Sequence, residues 1–121
     1  MSSLQISTIS SQEESGSHNR VPKEAFFLAE GLKVLPLSKS VVKIGRENGN
    51  DVVINDQRVS LKHAVLRAMH GNYMIFDLDS SNGVAINGER VHHCILQPGD
   101  IVSLGGYALV FGQNDPTIVL S

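Results

Sequence analysis

Short apolar segments alternate with turn-forming residues along most of the chain, starting at Ala25. Eight such segments are rich in Val, Ile, Leu, Phe and Tyr, the residue types that favour strands: AFFLAE, SVVKIGR, DVVIN, HAVLRAM, NYMIFDL, GVAING, DIVSL and YALVFG. Clusters of Gly, Asn, Asp and Pro, which form tight turns, separate them. No window of helical length keeps an apolar stripe at i, i+3 and i+4 free of glycine. The pattern predicts an all-β fold, an antiparallel sandwich or barrel.

The first 22 residues have a different pattern. Their sequence, MSSLQISTISSQEESGSHNRVP, is dense in serine and contains few side chains that a core could bury. Such a composition is typical of a flexible, disordered tail. We therefore expect a tail over residues 1–22, a folded domain over residues 23–116 and a short extension over residues 117–121.

The composition narrows the class of protein. A chain of 121 residues with 41% hydrophobic and 18% charged residues suits one globular domain with one core. The net charge of −2 argues against a nucleic-acid partner, because domains that bind nucleic acid are usually strongly basic. The sequence has neither a secretory signal nor an apolar run near the ~20 residues that span a bilayer. The single cysteine, Cys94, permits no internal disulfide, which suits a reducing compartment. Together these features predict a cytoplasmic protein with no membrane partner.

Two polar clusters interrupt the strand pattern, RVSLKH at 58–63 and SSNGVAING at 80–88. Binding sites on β-sandwiches lie in the loops at the ends of the sheets, so both clusters are candidate site loops. If the four apolar segments from SVVKIG to NYMIFDL simply alternate in direction, the two clusters share one end of the fold. The same alternation places Arg46, which follows SVVKIG, at the opposite end.

Two kinds of catalytic or metal site are open to these residues. Ser60, His63 and Asp77 could form a hydrolytic triad, but strand residues three apart point to opposite faces and the G-x-S-x-G elbow is absent. The HHC run at 92–94 could suggest zinc, but a structural zinc needs four ligands and one cysteine offers no second thiolate. We therefore expect no enzymatic activity, no metal and no cofactor.

A set of short motifs over residues 25–113 resembles the forkhead-associated (FHA) domain. The motifs are GR at 45–46, S-x-x-H at 60–63, D-x-x-S-x-N-G at 77–83, NG at 87–88 and L-x-x-G-D-x-V-x-L-G at 96–105. The resemblance implies a β-sandwich of about eleven strands, and it places Arg46 at the same end as both polar clusters. The chain is similar to small bacterial single-FHA proteins that signal with Ser/Thr kinases.

The resemblance also implies a function, which is the recognition of protein segments that contain phosphothreonine, on a Ser/Thr kinase or its substrate. It implies that Arg46 and Ser60 contact the phosphate, that Asn82 bonds the peptide backbone and that Ser81 adds a contact beside the phosphate. Arg58 matches a position that in some members reads the side chain three residues after the phosphothreonine. A phosphate with roughly −1.5 to −2 charges and three acceptor oxygens suits an arginine fork and a hydroxyl donor.

Four further residues are assigned to the support of the site. Gly45 and Gly83 suit backbone positions that need positive φ or close approach. In the family the counterpart of His63 braces the loop by hydrogen bonding, and Asn87 of the NG pair is interpreted as a turn and brace residue. We expect these four to position the loops and not to contact the ligand.

The sequence departs from the common FHA pattern at two positions. Leu61 follows the binding serine, where a basic or amide side chain is usual, so one phosphate donor is missing. Val84 replaces a common threonine after NG, so a hydroxyl that supports the loop is lost. Neither departure affects Arg46, Ser60 or Asn82, but the two leave open an alternative function, a degenerate FHA sandwich that binds a partner protein without phosphate.

Thr8 is the one threonine that precedes the predicted strands. If a kinase phosphorylates Thr8, the domain behind it is suited to capture the phosphothreonine within the same chain. A short tether gives such capture a high effective concentration. Intramolecular binding of phosphorylated Thr8 is therefore a further hypothesis.

Overall fold

Residues 19–113 are described by a computed structural model, in which they form eleven strands and one short 3-10 turn, Glu30–Leu32. The strands are β1 (Ala25–Ala29), β2 (Lys33–Leu37), β3 (Val41–Gly45), β4 (Val52–Val53), β5 (Ala64–Met69), β6 (Asn72–Asp77), β7 (Val84–Ile86), β8 (Glu89–Val91), β9 (His93–Ile95), β10 (Ile101–Leu104) and β11 (Tyr107–Gly112). Thr8 and the predicted extension over residues 117–121 lie outside the described residues.

The strands form two sheets that pack face to face. The first sheet has the order β2-β1-β11-β10-β7-β8 and the second has the order β4-β3-β5-β6-β9. Side chains that alternate along the strands fill the space between the sheets. Tyr73 of the second sheet meets Phe111 of the first edge-on, with ring centroids 6.3 Å apart, and Phe27 meets Phe111 at 6.1 Å. All three rings are fully buried, so the predicted all-β sandwich is confirmed.

All eight segments predicted from the apolar pattern contain strands, and three more strands complete the sheets. The additional strands are β2, β8 and β9, and each lies at the edge of its sheet. An edge strand buries only part of its surface, so its sequence carries a weak apolar signal. Pro36 lies within β2, and proline is tolerated in strands mainly at such edges. The eleven strands implied by the resemblance are confirmed.

The simple alternation of strand directions was wrong because β3 and β4 run parallel. Ile44 pairs with Val52 and Gly45 with Val53, so the segment between the two strands turns back alongside β3, as far as Lys43, before β4 begins. Both β5 and β6 then reverse direction. Arg46, the RVSLKH cluster and the SSNG part of the second cluster therefore lie at the same end of the sandwich. We call this the loop end, and it comprises Arg46, residues 54–63, residues 78–83 and the β10–β11 turn at Gly105 and Gly106.

The packed part of the chain begins earlier than residue 23. The carbonyl of Arg20 accepts a hydrogen bond from the amide of Gly71 at 2.9 Å. Val21 packs against the core and Pro22 is buried. Residues 20–22 therefore belong to the folded domain and not to the tail predicted for them. The described part of the chain contains no helix with the length and apolarity that a membrane crossing requires.

Candidate functional site

Arg46 follows β3 directly and is held in place by the neighbouring loop. Its backbone amide donates to the carbonyl of Ser60 at 3.0 Å, and its Nε donates to the carbonyl of Val59 at 3.0 Å. The side chain is half-buried. Its terminal nitrogens Nη1 and Nη2 make no hydrogen bond or ion pair with any residue between 19 and 113. Arg46 therefore presents a positioned, charged pair of donors to a ligand.

Ser60 lies beside Arg46 at the tip of the loop between β4 and β5. Its backbone amide donates to Nδ1 of His63 at 3.0 Å, and its Oγ accepts from the amide of Ser81 at 3.1 Å. The Ser60 hydroxyl proton is not used in these contacts. Ser60 can therefore donate to an anion held by Arg46, while Ser81 is fixed next to it through its backbone.

His63 is fully buried and joins the two polar clusters. Because the Ser60 amide is a donor, Nδ1 of His63 must accept, and the proton lies on Nε2. Nε2 donates to the carbonyl of Gly83 at 2.8 Å, so His63 is the neutral Nε2-protonated tautomer. One imidazole therefore fixes the spacing between the loop of Ser60 and the loop of Gly83.

The hydrolytic triad is not formed by these residues. Both ring nitrogens of His63 bond backbone groups, so neither can take a proton from the Ser60 hydroxyl. The Asp77 carboxylate accepts from the amide and the hydroxyl of Ser80, at 3.2 and 2.6 Å. Asp77 therefore shapes the turn after β6 and does not orient His63.

Asn82 occupies the exposed rim of the loop end. Its Nδ2 donates to the carbonyl of Arg58 at 3.0 Å, which leaves its Oδ1 and one amide proton for a ligand. Gly83 follows with φ of 83°, a conformation that glycine adopts without strain. Its carbonyl accepts from Gly105 at 3.0 Å as well as from His63. The β10–β11 turn therefore supports this loop from below.

Gly45 and Asn50 hold the segment that follows Arg46. A β-carbon at Gly45 would overlap the carbonyl oxygen of Leu61, so only glycine fits there. The side-chain Nδ2 of Asn50 donates to the carbonyls of Leu61 and Glu47, both at 2.8 Å. Gly45 was predicted from the sequence as a support of the site, but Asn50 was not. An asparagine in the turn ENGND looks the same in the sequence whether it bonds a neighbouring loop or only forms the turn.

Arg58 is tightly paired with Asp56, which sequence analysis also missed. Oδ1 of Asp56 accepts from the amide and from Nε of Arg58, both at 2.9 Å, and Oδ2 accepts from Nη2 at 2.8 Å. The side-chain hydrogen bonds from Arg58, followed by its backbone hydrogen bond, lower the pKa of Asp56 to about 2. Nη1 of Arg58 reaches the carbonyl of Gly106 at 3.3 Å. Arg58 therefore connects two loops and keeps its side chain about half-exposed.

Asn87 does not lie at the loop end, which corrects the prediction that it supports the site. It follows Ile86 at the other end of β7, where it adopts φ of 51° in the turn to β8. Its Nδ2 donates to Asp100 Oδ1 and its Oδ1 accepts from the amide of Ile101, both at 2.9 Å. Asn87 therefore braces this turn against the start of β10.

The HHC run lies on and beside β9 at the edge of the second sheet, where the carbonyl of His92 accepts from the amide of Asp77 at 2.9 Å. His92 and His93 are exposed and Cys94 is partly buried. Burial, and then the nearby Asp100 and Glu89 carboxylates, raise the pKa of the Cys94 thiol. Among residues 19–113 no group of three or more His, Cys, Asp or Glu side chains is placed to hold a metal ion.

The chain matches a family model and several known proteins. The FHA domain model matches residues 42–105, more than half of the 121-residue chain. The chain is 43% identical over 78 residues to an ABC transporter ATP-binding/permease protein of Mycobacterium tuberculosis, an alignment that covers 64% of this chain and 9% of that protein. It is 35% identical over 75 residues to the glycogen accumulation regulator GarA of Mycolicibacterium smegmatis, covering 62% of this chain and 48% of GarA. The chain spans less than half the length of these curated relatives.

Solved structures have the same fold. The transcriptional regulator EmbR of Mycobacterium tuberculosis, solved with a low-affinity phosphopeptide, superposes with a TM-score of 0.72 at 26% identity, covering 93% of this chain and 31% of EmbR. The FHA domain of an Arabidopsis thaliana protein superposes with a TM-score of 0.71 at 28% identity, covering 78% of this chain and 88% of that domain. The resemblance drawn from the motifs is confirmed. The segment matched by the family model contains Arg46 and both loops that surround it. Because this match covers more than half of the chain, the chain belongs to the forkhead-associated (FHA) domain family.

Proposed function

We propose that the loop end binds protein segments that carry phosphothreonine, and that the chain thereby acts in Ser/Thr kinase signalling. The observation that carries this proposal is that the Arg46 side chain is held in place while its terminal nitrogens stay unbonded within the described residues. Its Nε is anchored on Val59, while its two terminal nitrogens have no partner among the described residues. A guanidinium held in this way matches the geometry of a phosphate, since two parallel N–H groups can bond two oxygens.

The neighbouring groups supply further donors to the same ligand. The Ser60 hydroxyl bonds the phosphate beside Arg46, and Ser81 adds a contact next to Ser60. Asn82 bonds the backbone of the peptide through the amide atoms that Arg58 leaves unused. Arg58 lies at the rim, where it meets a side chain that follows the phosphothreonine. Gly45, Gly83 and His63 hold these groups at fixed spacing.

The partner is a phosphothreonine-containing protein, either a Ser/Thr kinase or one of its substrates. EmbR, a relative that shares the fold, was solved with a phosphopeptide. GarA, another relative, is a regulator by name. A binding role without catalysis fits the engagement of both His63 ring nitrogens by backbone groups. We place this activity in the cytoplasm, where kinases that use ATP produce phosphothreonine.

The first test is binding to an oriented phosphothreonine peptide library, with the same peptides unphosphorylated or carrying phosphoserine. We expect phosphothreonine peptides to bind and unphosphorylated peptides to show no binding. The extra methyl of threonine is worth ~1 kcal/mol in an apolar pocket, so phosphoserine should bind about tenfold more weakly. Equal binding of phosphorylated and unphosphorylated peptides would contradict the proposal.

A second candidate function is binding to a partner without phosphate. Leu61 and Leu78 are 49% and 44% exposed near the loop end, and Leu61 occupies the position where a phosphate donor is usual in the family. Exposed apolar side chains beside a site are typical of a protein-protein contact. In the library experiment this function would appear as selection of apolar sequences irrespective of phosphorylation.

A further inference from the structure

The pairing of Asp56 with Arg58 has a consequence for the ligand that the loop end selects. We define the Arg58 rim as the part of the loop end formed by Arg58, Asn82 and Gly106. Arg58 is the cation of this rim, and its side chain is 49% exposed. An exposed arginine beside a peptide site would ordinarily attract an acidic side chain of the ligand.

Arg58 is only partly available to a ligand, because Asp56 occupies one of its two bidentate edges and Gly106 takes one N–H group of the other. Nε and Nη2 both bond the Asp56 carboxylate, at 2.9 and 2.8 Å, and Nη1 bonds the Gly106 carbonyl at 3.3 Å. An incoming carboxylate would meet an edge that is already bonded and a second negative charge beside it. Such an arrangement opposes a second negative charge, whereas the flat face of the guanidinium stays open to a neutral side chain.

The pair is fixed by the backbone as well as by the side chains. Oδ1 of Asp56 accepts from the Arg58 amide at 2.9 Å, and the Arg58 carbonyl accepts from Asn82 at 3.0 Å. A β-carbon at Gly105 would overlap the same Arg58 carbonyl, so the β10–β11 turn packs closely against the backbone of Arg58. The low pKa of Asp56 means that its carboxylate stays ionised across the range in which proteins are ordinarily studied.

We infer that Asp56 is a specificity-determining residue: by pairing with Arg58 it makes the rim beside Asn82 prefer a neutral ligand side chain over an acidic one. The inference rests on the proposed phosphopeptide function and deepens it. The favoured side chain is apolar or aromatic, because such groups stack on a guanidinium face without needing a free hydrogen-bonding edge.

The test uses one phosphothreonine peptide that binds the parent domain, remade with Asp, Ala or Tyr at each position after the phosphothreonine. Asp56→Asn is the informative variant, because asparagine Oδ1 still accepts from the Arg58 amide while the negative charge is removed. Glu89→Gln is the matched control, since Glu89 is an exposed carboxylate at the end of the sandwich opposite the loop end and has no ion pair among the described residues. Affinities are measured by isothermal titration calorimetry.

At the position that meets the rim, we expect the parent to bind the Ala and Tyr peptides at least as tightly as the Asp peptide. Asp56→Asn should tighten the Asp peptide about tenfold relative to the Ala peptide, because Arg58 becomes a free charged partner. Glu89→Gln should leave this ratio unchanged. Adding Arg58→Ala to Asp56→Asn should remove the gain, which separates pairing with Arg58 from a general change in charge.

Three results would overturn the inference. The first is a parent that already prefers the Asp peptide, and the second is an Asp56→Asn variant with the same ratio as the parent. The third is an equal tightening of all phosphopeptides, which would mean that the released Arg58 bonds the phosphate itself. Failure of the parent to bind any phosphothreonine peptide is a different result, since it would overturn the proposed function and this inference together.

Discussion

At the scale of single residues, the loop end depends on which polar atoms are already bonded within the domain. Arg46 and Arg58 are both arginines near the same surface, yet their roles differ. Arg46 uses only Nε and keeps its terminal nitrogens free among the described residues, whereas Arg58 has Nε, Nη1 and Nη2 bonded. The sequence names both as candidates, but it cannot show that Asp56 pairs with one of them.

Arg46→Ala should abolish phosphopeptide binding without unfolding the domain. The backbone amide that bonds Ser60 is retained, so the fold loses only the contact of Nε with Val59. Loss of a charge-assisted bidentate contact should cost roughly 2–4 kcal/mol of binding free energy. Titration calorimetry measures this loss, with Arg67→Ala on the exposed face of β5 as a charge-matched control. Binding of Arg46→Ala within threefold of the parent would mean that Arg46 does not hold the phosphate.

At the scale of elements, the site is created by the parallel pairing of β3 with β4. If the two strands were antiparallel, Arg46 would lie across the sandwich from Ser60. Local sequence cannot reveal this pairing, because a strand of two residues has no pattern that distinguishes a parallel from an antiparallel neighbour. The apolar pattern found the strands in which buried apolar side chains alternate with others, including β4 at an edge, where Val52 and Ile54 are buried. It missed the edge strands β2, β8 and β9 because most of their side chains are exposed or only half-buried.

His63 is the link between two of these elements, and His63→Ala should therefore affect stability and binding together. The change removes both ring hydrogen bonds and leaves the partly buried amide of Ser60 without its partner. We expect a loss of roughly 2–4 kcal/mol in the free energy of unfolding. For a domain of this size the melting temperature should fall by about 10 °C or more. Scanning calorimetry measures this change.

His92→Ala is the control for this experiment, because the His92 side chain is exposed. It should leave both the melting temperature and the affinity for phosphopeptide close to those of the parent. If His63→Ala abolished binding with no change in the melting curve, His63 would have to contact the ligand directly. That outcome would contradict its assignment as a brace.

At the scale of the whole molecule, the two ends of the sandwich determine whether Thr8 can reach the site. Asn19 lines a cavity of about 290 Å³ with Val41 and Met69, and Arg20 bonds Gly71 in the β5–β6 turn. The described chain therefore begins at the end opposite the loop end. Asn19 lies eleven positions after Thr8, and a chain segment of that length spans at most about 36–40 Å.

The distance to be covered is the length of β6, which connects the two ends. Six strand residues rise about 20 Å, so the tether is long enough for phosphorylated Thr8 to reach Arg46 in the same molecule. We expect phosphorylation of Thr8 to shift the NMR signals of Arg46, Ser60 and Asn82, with Thr8→Ala treated with the same kinase as the control. Deleting residues 10–16 should shorten the tether to four residues, about 14 Å at most, and abolish the shifts. Shifts that depend on protein concentration would instead indicate capture between molecules.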